Sequence, residues 1–271
     1  MAEPKYVDSR KRGRLLAFSV FTGVMLFVIR AWDLVDIRSN LGLLTLGLGY
    51  FFFAYLGQIA LFNFSVTKKS LLTVLPQTAL FITTGALFVM LFFFNDFERL
   101  IEIVLLISLL SVMIMSTYSS LLMSNVFNVA TFKSIPLVQV ALTASFIVTV
   151  MTVYFVSVSV VNAGMDPILM GVLLFVIYTI IFIFHYVHME MDVKEIMTLS
   201  GTTGFICTFA FMTVFFMGQG FELSALVPAS IAYAGVGLEM VVKKATNRGF
   251  VIFQYILVIL VAFIINIIFN R

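Results

Sequence analysis

The chain has 271 residues, 62% of them hydrophobic and only 11% charged, with 31 Phe. A soluble domain is about 45–50% apolar and about 25% charged, so a soluble enzyme, a nucleic-acid-binding domain and a disordered chain are excluded. What is left is an all-α, polytopic integral membrane protein, whose net charge of +3 then reflects orientation in the bilayer and not affinity for nucleic acid.

A helix needs about 20 mainly apolar residues to cross a hydrocarbon core about 30 Å thick. Nine such runs follow one another, at residues 15–35, 41–63, 70–94, 99–123, 135–161, 167–189, 195–217, 222–243 and 248–269, with eight to ten as the bounds on the count. Stretches such as 256–265 are apolar on every side. That suits helices facing lipid or protein, not the short alternating strands of a β-barrel. The first run has a basic lead of Lys11, Arg12 and Arg14, as a signal peptide would, but Arg30, Trp32 and Asp33 follow it. No small-residue cleavage site stands there, so the run reads as a retained anchor with Trp32 in the interfacial ring. Charge and turn residues separate the later runs, among them Lys68–Lys69, Asn95 to Arg99, Asn162 to Pro167, Glu190 to Glu195 and Lys243 to Arg248. The organisation expected is a cytoplasmic basic arm, 1–14, and a single transmembrane helical domain, 15–271.

Orientation follows from the basic residues. With the N-terminus in the cytoplasm and nine crossings, twelve of the 16 Lys and Arg fall inside, leaving Arg30, Arg38, Arg99 and Arg271 outside. The positive-inside rule therefore predicts a cytoplasmic N-terminus and an outer C-terminus. The plasma membrane is the expected location, since no retention signal and no glycosylation acceptor on an outer loop is present. The lone Cys207 excludes an intrachain disulfide. An odd helix count excludes a perfect duplication, and the sequence shows regular hairpins rather than an internal repeat.

Both histidines of the chain lie in the stretch His185-Tyr-Val-His188-Met-Glu190-Met-Asp192-Val-Lys194-Glu195. On a continuous helix this spacing lines up His185, His188, Asp192 and Glu195 on one face. Imidazole with carboxylate suits zinc, iron or manganese, or a proton relay. The plainer alternative is a helix end, where polar residues meet water and His is favoured by the dipole. Glu102 and Glu239, spaced from Arg99 and Lys243 as helical ion pairs, read as interfacial pairs or as buried carboxylates. Glu239 is the deeper of the two, with Gly235 and Gly237 leaving room beside it. The amides Gln58, Gln77 (beside Pro76) and Gln139 either line a cavity or bond a neighbouring helix. Helices seven and eight carry small residues every fourth position, Ser200, Gly204 and Thr208, then Ala225 and Ala229, and Ser230 and Ala234. Such faces admit a neighbouring helix, a membrane protein partner or a second copy of the chain. Pro228 kinks helix eight, and the region near Glu239 is the candidate cavity. The hydroxyls of helix five, from Thr143 to Ser159, are expected to bond back to their own helix.

No Walker A loop, GxSxG, CxxC or HExxH occurs, and Asp33 and Asp36 lack the companions of a diphosphate-binding aspartate pair. No motif specifies a cofactor. Three functions remain. A non-enzymatic membrane subunit or scaffold fits the short loops best. A small transporter or channel is the second. A lipid-modifying membrane enzyme using the His185, His188 and Asp192 face is the third. The lipid bilayer is the one partner common to all three.

Overall fold

The computed structural model describes residues 9–32, 34–36, 39–92, 100–128, 135–189, 191–217, 221–241 and 248–269. The helices are α1 Ser9–Ala31, α2 Asn40–Leu61, α3 Lys68–Leu72, α4 Val74–Phe92, α5 Leu100–Asn128 and α6 Ile135–Asn162. They continue with α7 Pro167–Tyr186, α8 Val193–Phe216, α9 Phe221–Ser224, α10 Leu226–Val241 and α11 Arg248–Phe269. Among the described residues there is no strand. The protein is an all-α polytopic membrane protein, and the described part of each of the nine apolar runs is mostly helical. Among the described residues, eight spans are long and apolar enough to cross a bilayer. The remaining run, α10, has 16 residues, about 24 Å of helix at 1.5 Å per residue, and α9 precedes it directly. α1 begins at Ser9, within the stretch 1–14 read as a basic arm, and its apolar span begins at Arg12.

Side chains with a local role set the helix ends. Ser39 caps α2 by accepting from the Gly42 N–H at 3.0 Å. Thr67 caps α3 by accepting from the Ser70 N–H at 3.1 Å. Asp166 caps α7 through the Ile168 N–H at 2.9 Å, with Pro167 in the first turn where its missing N–H costs nothing.

The helix contacts group into two compact units, Met1–Ala144 and Ser145–Arg271, with the boundary inside α6. In the first unit α4 is the core element. Its span with α3 is 72% buried, against 28% for α1, 22% for α2 and 17% for α5. It packs on α2 and α5, and α1 packs chiefly on α5. In the second unit α10 holds the same place, with nine of its 16 residues buried. It packs on α8 and α11, and α7 packs chiefly on α8. α11 turns Phe250, Phe253, Ile256 and Leu260 outward.

Each unit breaks its core helix in the same way. Pro76 has no N–H to give the Leu72 carbonyl, and its ring crowds that carbonyl. α3 therefore ends at Leu72, and α4 restarts after Thr73. Pro228 does the same to Ser224, so α9 ends there and α10 restarts after Ala225. A constant distance of 152 residues separates Pro76 from Pro228, Thr73 from Ala225, Thr78 from Ser230 and Gly85 from Gly237. The order long, long, short, core, long holds for α1 to α5 and again for α7 to α11. The recurrence is one of element order, with α6 outside the two sets, and it leaves standing the expectation that the sequence itself shows no internal repeat. The two copies differ in the partner of their first helix.

Candidate functional site

In the first unit the break in α3–α4 is closed by α2. Tyr55 and Gln58 lie one turn apart on α2. The Tyr55 hydroxyl donates to the Leu71 carbonyl at 3.1 Å. Gln58 is fully buried. Its Nε2 donates to Ala54 O at 3.1 Å and to Leu75 O at 3.2 Å. Its Oε1 accepts from Ser124 Oγ of α5 at 3.1 Å. One amide thus joins three helices with both hydrogens and its oxygen engaged, so it braces the core. Gln77 on α4 is also buried, whereas Gln139 on α6 is exposed.

In the second unit the stretch 185–195 is not one helix. α7 ends at Tyr186, a single 3-10 turn covers Val187–Met189, and Asp192 is the N-cap position of α8. His185 is fully buried, His188 half-buried, and Asp192 and Glu195 exposed. Four residues spread over three local elements do not share a face. Among the described residues no three His, Cys, Asp or Glu side chains converge as metal ligands. The continuous stripe expected from the spacing is thus overturned, because the chain turns at the membrane edge to bring α8 back along α7.

His185 instead faces α6. Its Nδ1 lies 3.0 Å from Ser145 Oγ, and Nε2 has no hydrogen-bond partner among the described residues. A second α6–α7 joint lies further along, where the hydroxyls of Ser157 and Tyr178 meet at 2.6 Å. The hydroxyls of Thr149, Thr152 and Ser157 bond back to carbonyls of α6, as expected from the sequence. Tyr186 is buried, its ring next to those of Phe182 and His185, and its hydroxyl lies near Thr203 of α8 and within electrostatic reach of Glu239 of α10. Ser200, one turn before Thr203, is also buried with an unbonded hydroxyl.

The expected room beside Glu239 is partly filled. A Cβ at Gly235 would stand 2.9 Å from Thr203 Cγ2, so α8 and α10 touch there. Pro228 is buried, and its carbonyl lies 3.6 Å from Cys207 Sγ. Gly204 lies against Thr179 of α7, so the small-residue face of α8 is covered inside the unit. Lys243 and Arg99, the proposed partners of Glu239 and Glu102, lie outside the described residues, as does the Glu102 side chain. Glu239 itself is half-buried.

Sequence reasoning gave no role to Tyr55, Tyr178 or Tyr186, and expected Ser145 to bond back to its own helix rather than to meet His185. Their partners are on other helices, and no short-range spacing signals them. The second unit holds a buried imidazole at His185, buried phenols at Tyr178 and Tyr186 and a half-buried carboxylate at Glu239, with His185 and Tyr178 bonded to α6. Comparison of the chain with protein-family models, with curated proteins and with solved structures finds no match in any of the three.

Proposed function

We propose that the protein is a small membrane carrier or channel built from two variants of one helical unit. The supporting observation is the pair of proline-broken core helices, α3–α4 and α9–α10, at corresponding places in the two units. Carriers often place discontinuous helices in corresponding positions of their two halves, close to the solute path. Composition and loops alone favour a non-enzymatic subunit or scaffold, and the repeated break changes that order. The distribution of basic residues supports a cytoplasmic N-terminus and an outer C-terminus, in what we take to be the plasma membrane. With nine crossings, the chain then enters α3–α4 from the inside and α9–α10 from the outside. A reporter fused after Arg271 is expected to read the outer face; a cytoplasmic signal would refute that arrangement.

The carrier reading is tested without knowing the solute. Thr78 and Ser230 stand two residues after the two prolines, and both are buried. In a Cys207→Ser background, Thr78→Cys and Ser230→Cys are exposed to a membrane-impermeant maleimide from either side of sealed vesicles. A carrier or channel admits water to these positions, and at least one is labelled before the membrane is dissolved. If neither reacts from either side, the scaffold reading replaces it. That second reading has its own support in Gln58, whose hydrogen bonds all go to its own and neighbouring helices. A partner would then meet the outward apolar faces, such as Phe205 and Phe209 of α8. The lipid-modifying enzyme has least support, since His185, His188 and Asp192 sit on separate elements.

A further inference from the structure

We infer that one end of the first unit is a binding site for the phosphate headgroup of an anionic phospholipid. Two segments far apart in the sequence build it. Arg12 and Arg14 are exposed near the start of α1, and Lys68 and Lys69 are exposed on α3. A direct bond ties the segments together, from Arg14 Nη1 to Asn63 Oδ1 at 2.9 Å. The acceptor is a neutral amide, so the bond orients the guanidinium without cancelling its charge. Four cations on adjoining segments at the end of spanning helices attract anionic headgroups.

The loop between α2 and α3 adds an apolar element. Asn63 and Phe64 take φ of 52° and 58°, the left-handed region that residues with a Cβ rarely occupy. Asn128, the last residue of α5, holds the loop from the other side. Its Nδ2 donates to the Ser65 carbonyl at 3.0 Å, and its Oδ1 accepts from the Thr67 N–H at 3.2 Å. A loop pinned by Arg14 and Asn128 thus holds Phe64 out beside the cations, 79% exposed. A free phosphate would use the cations and leave the ring in water. A phospholipid uses both, because an exposed apolar ring such as that of Phe64 buries at the headgroup–acyl boundary. That difference selects the lipid over the soluble anion.

The test is native mass spectrometry of the full chain exposed to equal amounts of phosphatidylglycerol and phosphatidylcholine. The wild type is expected to retain phosphatidylglycerol in preference. Lys68→Gln/Lys69→Gln is expected to weaken that retention about 30-fold. Arg12→Gln, which removes no hydrogen bond described in the structure, is the second variant and is expected to weaken it in the same direction. Thermal unfolding in lipid-free detergent, matched to the wild type, shows that each variant is folded. Phe64→Ser is expected to weaken phosphatidylglycerol retention while leaving protection by inorganic phosphate unchanged. Equal retention of the two lipids by the wild type would overturn the inference, as would undiminished preference in both charge variants. If inorganic phosphate displaces the lipid and Phe64→Ser retains as much of it as the wild type, the site takes a free anion and the inference also fails.

Discussion

Gln58 shows how a polar residue inside a span is satisfied. In hydrocarbon an unbonded amide has no water to turn to, so its value lies in what it joins. Here it joins α2, α4 and α5, and one of its acceptors, Leu75 O, lies in the first turn after the proline break. Gln58→Leu is expected to destabilise the protein by about 1 kcal/mol, read from reversible unfolding in mixed detergent. Gln139→Leu, at an exposed position, is the control and is expected to shift the midpoint little. An unchanged midpoint in Gln58→Leu would mean the network adds no stability. The amide was visible in the sequence as an anomaly in an apolar run. Its partners were not, since Leu75 and Ser124 come close only when three helices pack.

At the level of helices, glycine position decides how closely neighbours approach. A Cβ at Gly204 would stand 2.7 Å from Thr179 Oγ1 and 3.1 Å from the Thr179 backbone nitrogen. The backbone cannot yield as a flexible side chain can, so Gly204→Ala is expected to cost about 1–3 kcal/mol. At Gly201, on the same helix, a Cβ meets nothing within 4 Å. Gly201→Ala should be neutral or stabilise by up to about 1 kcal/mol, since Ala is the better helix former. The opposed signs, measured by thermal unfolding in one detergent, test the α7–α8 packing; equal effects would contradict it. The small-residue stripe was legible in the sequence, but which helix covered it was not. The His185 to Glu195 stripe failed for a related reason. A spacing of 3, 4 and 3 specifies a face only while the helix continues, and here it ends at Tyr186.

Across the whole chain, the two units repeat an element order around a proline-broken core helix, with α6 between. This bears on the labelling experiment at Thr78 and Ser230. If the units are functional equivalents, both positions gain access to water, each from the side on which its broken helix begins. Labelling from a single side at both would argue against opposed crossings. The reporter after Arg271 tests the same topology by an independent route.

The all-α, apolar character of the chain and the approximate extent of its helical runs could be read from the amino-acid order, because bilayer thickness acts on local composition. Cap residues and prolines act over one turn, so most helix ends were legible too. The joints Gln58–Ser124, Ser145–His185 and Ser157–Tyr178, the burial of His185 away from Asp192, and the pairing of Arg14 with Asn63 depended on tertiary structure. Each joins residues on different elements, and in a chain so uniformly apolar no periodicity distinguishes the face that packs on protein from the face that meets lipid.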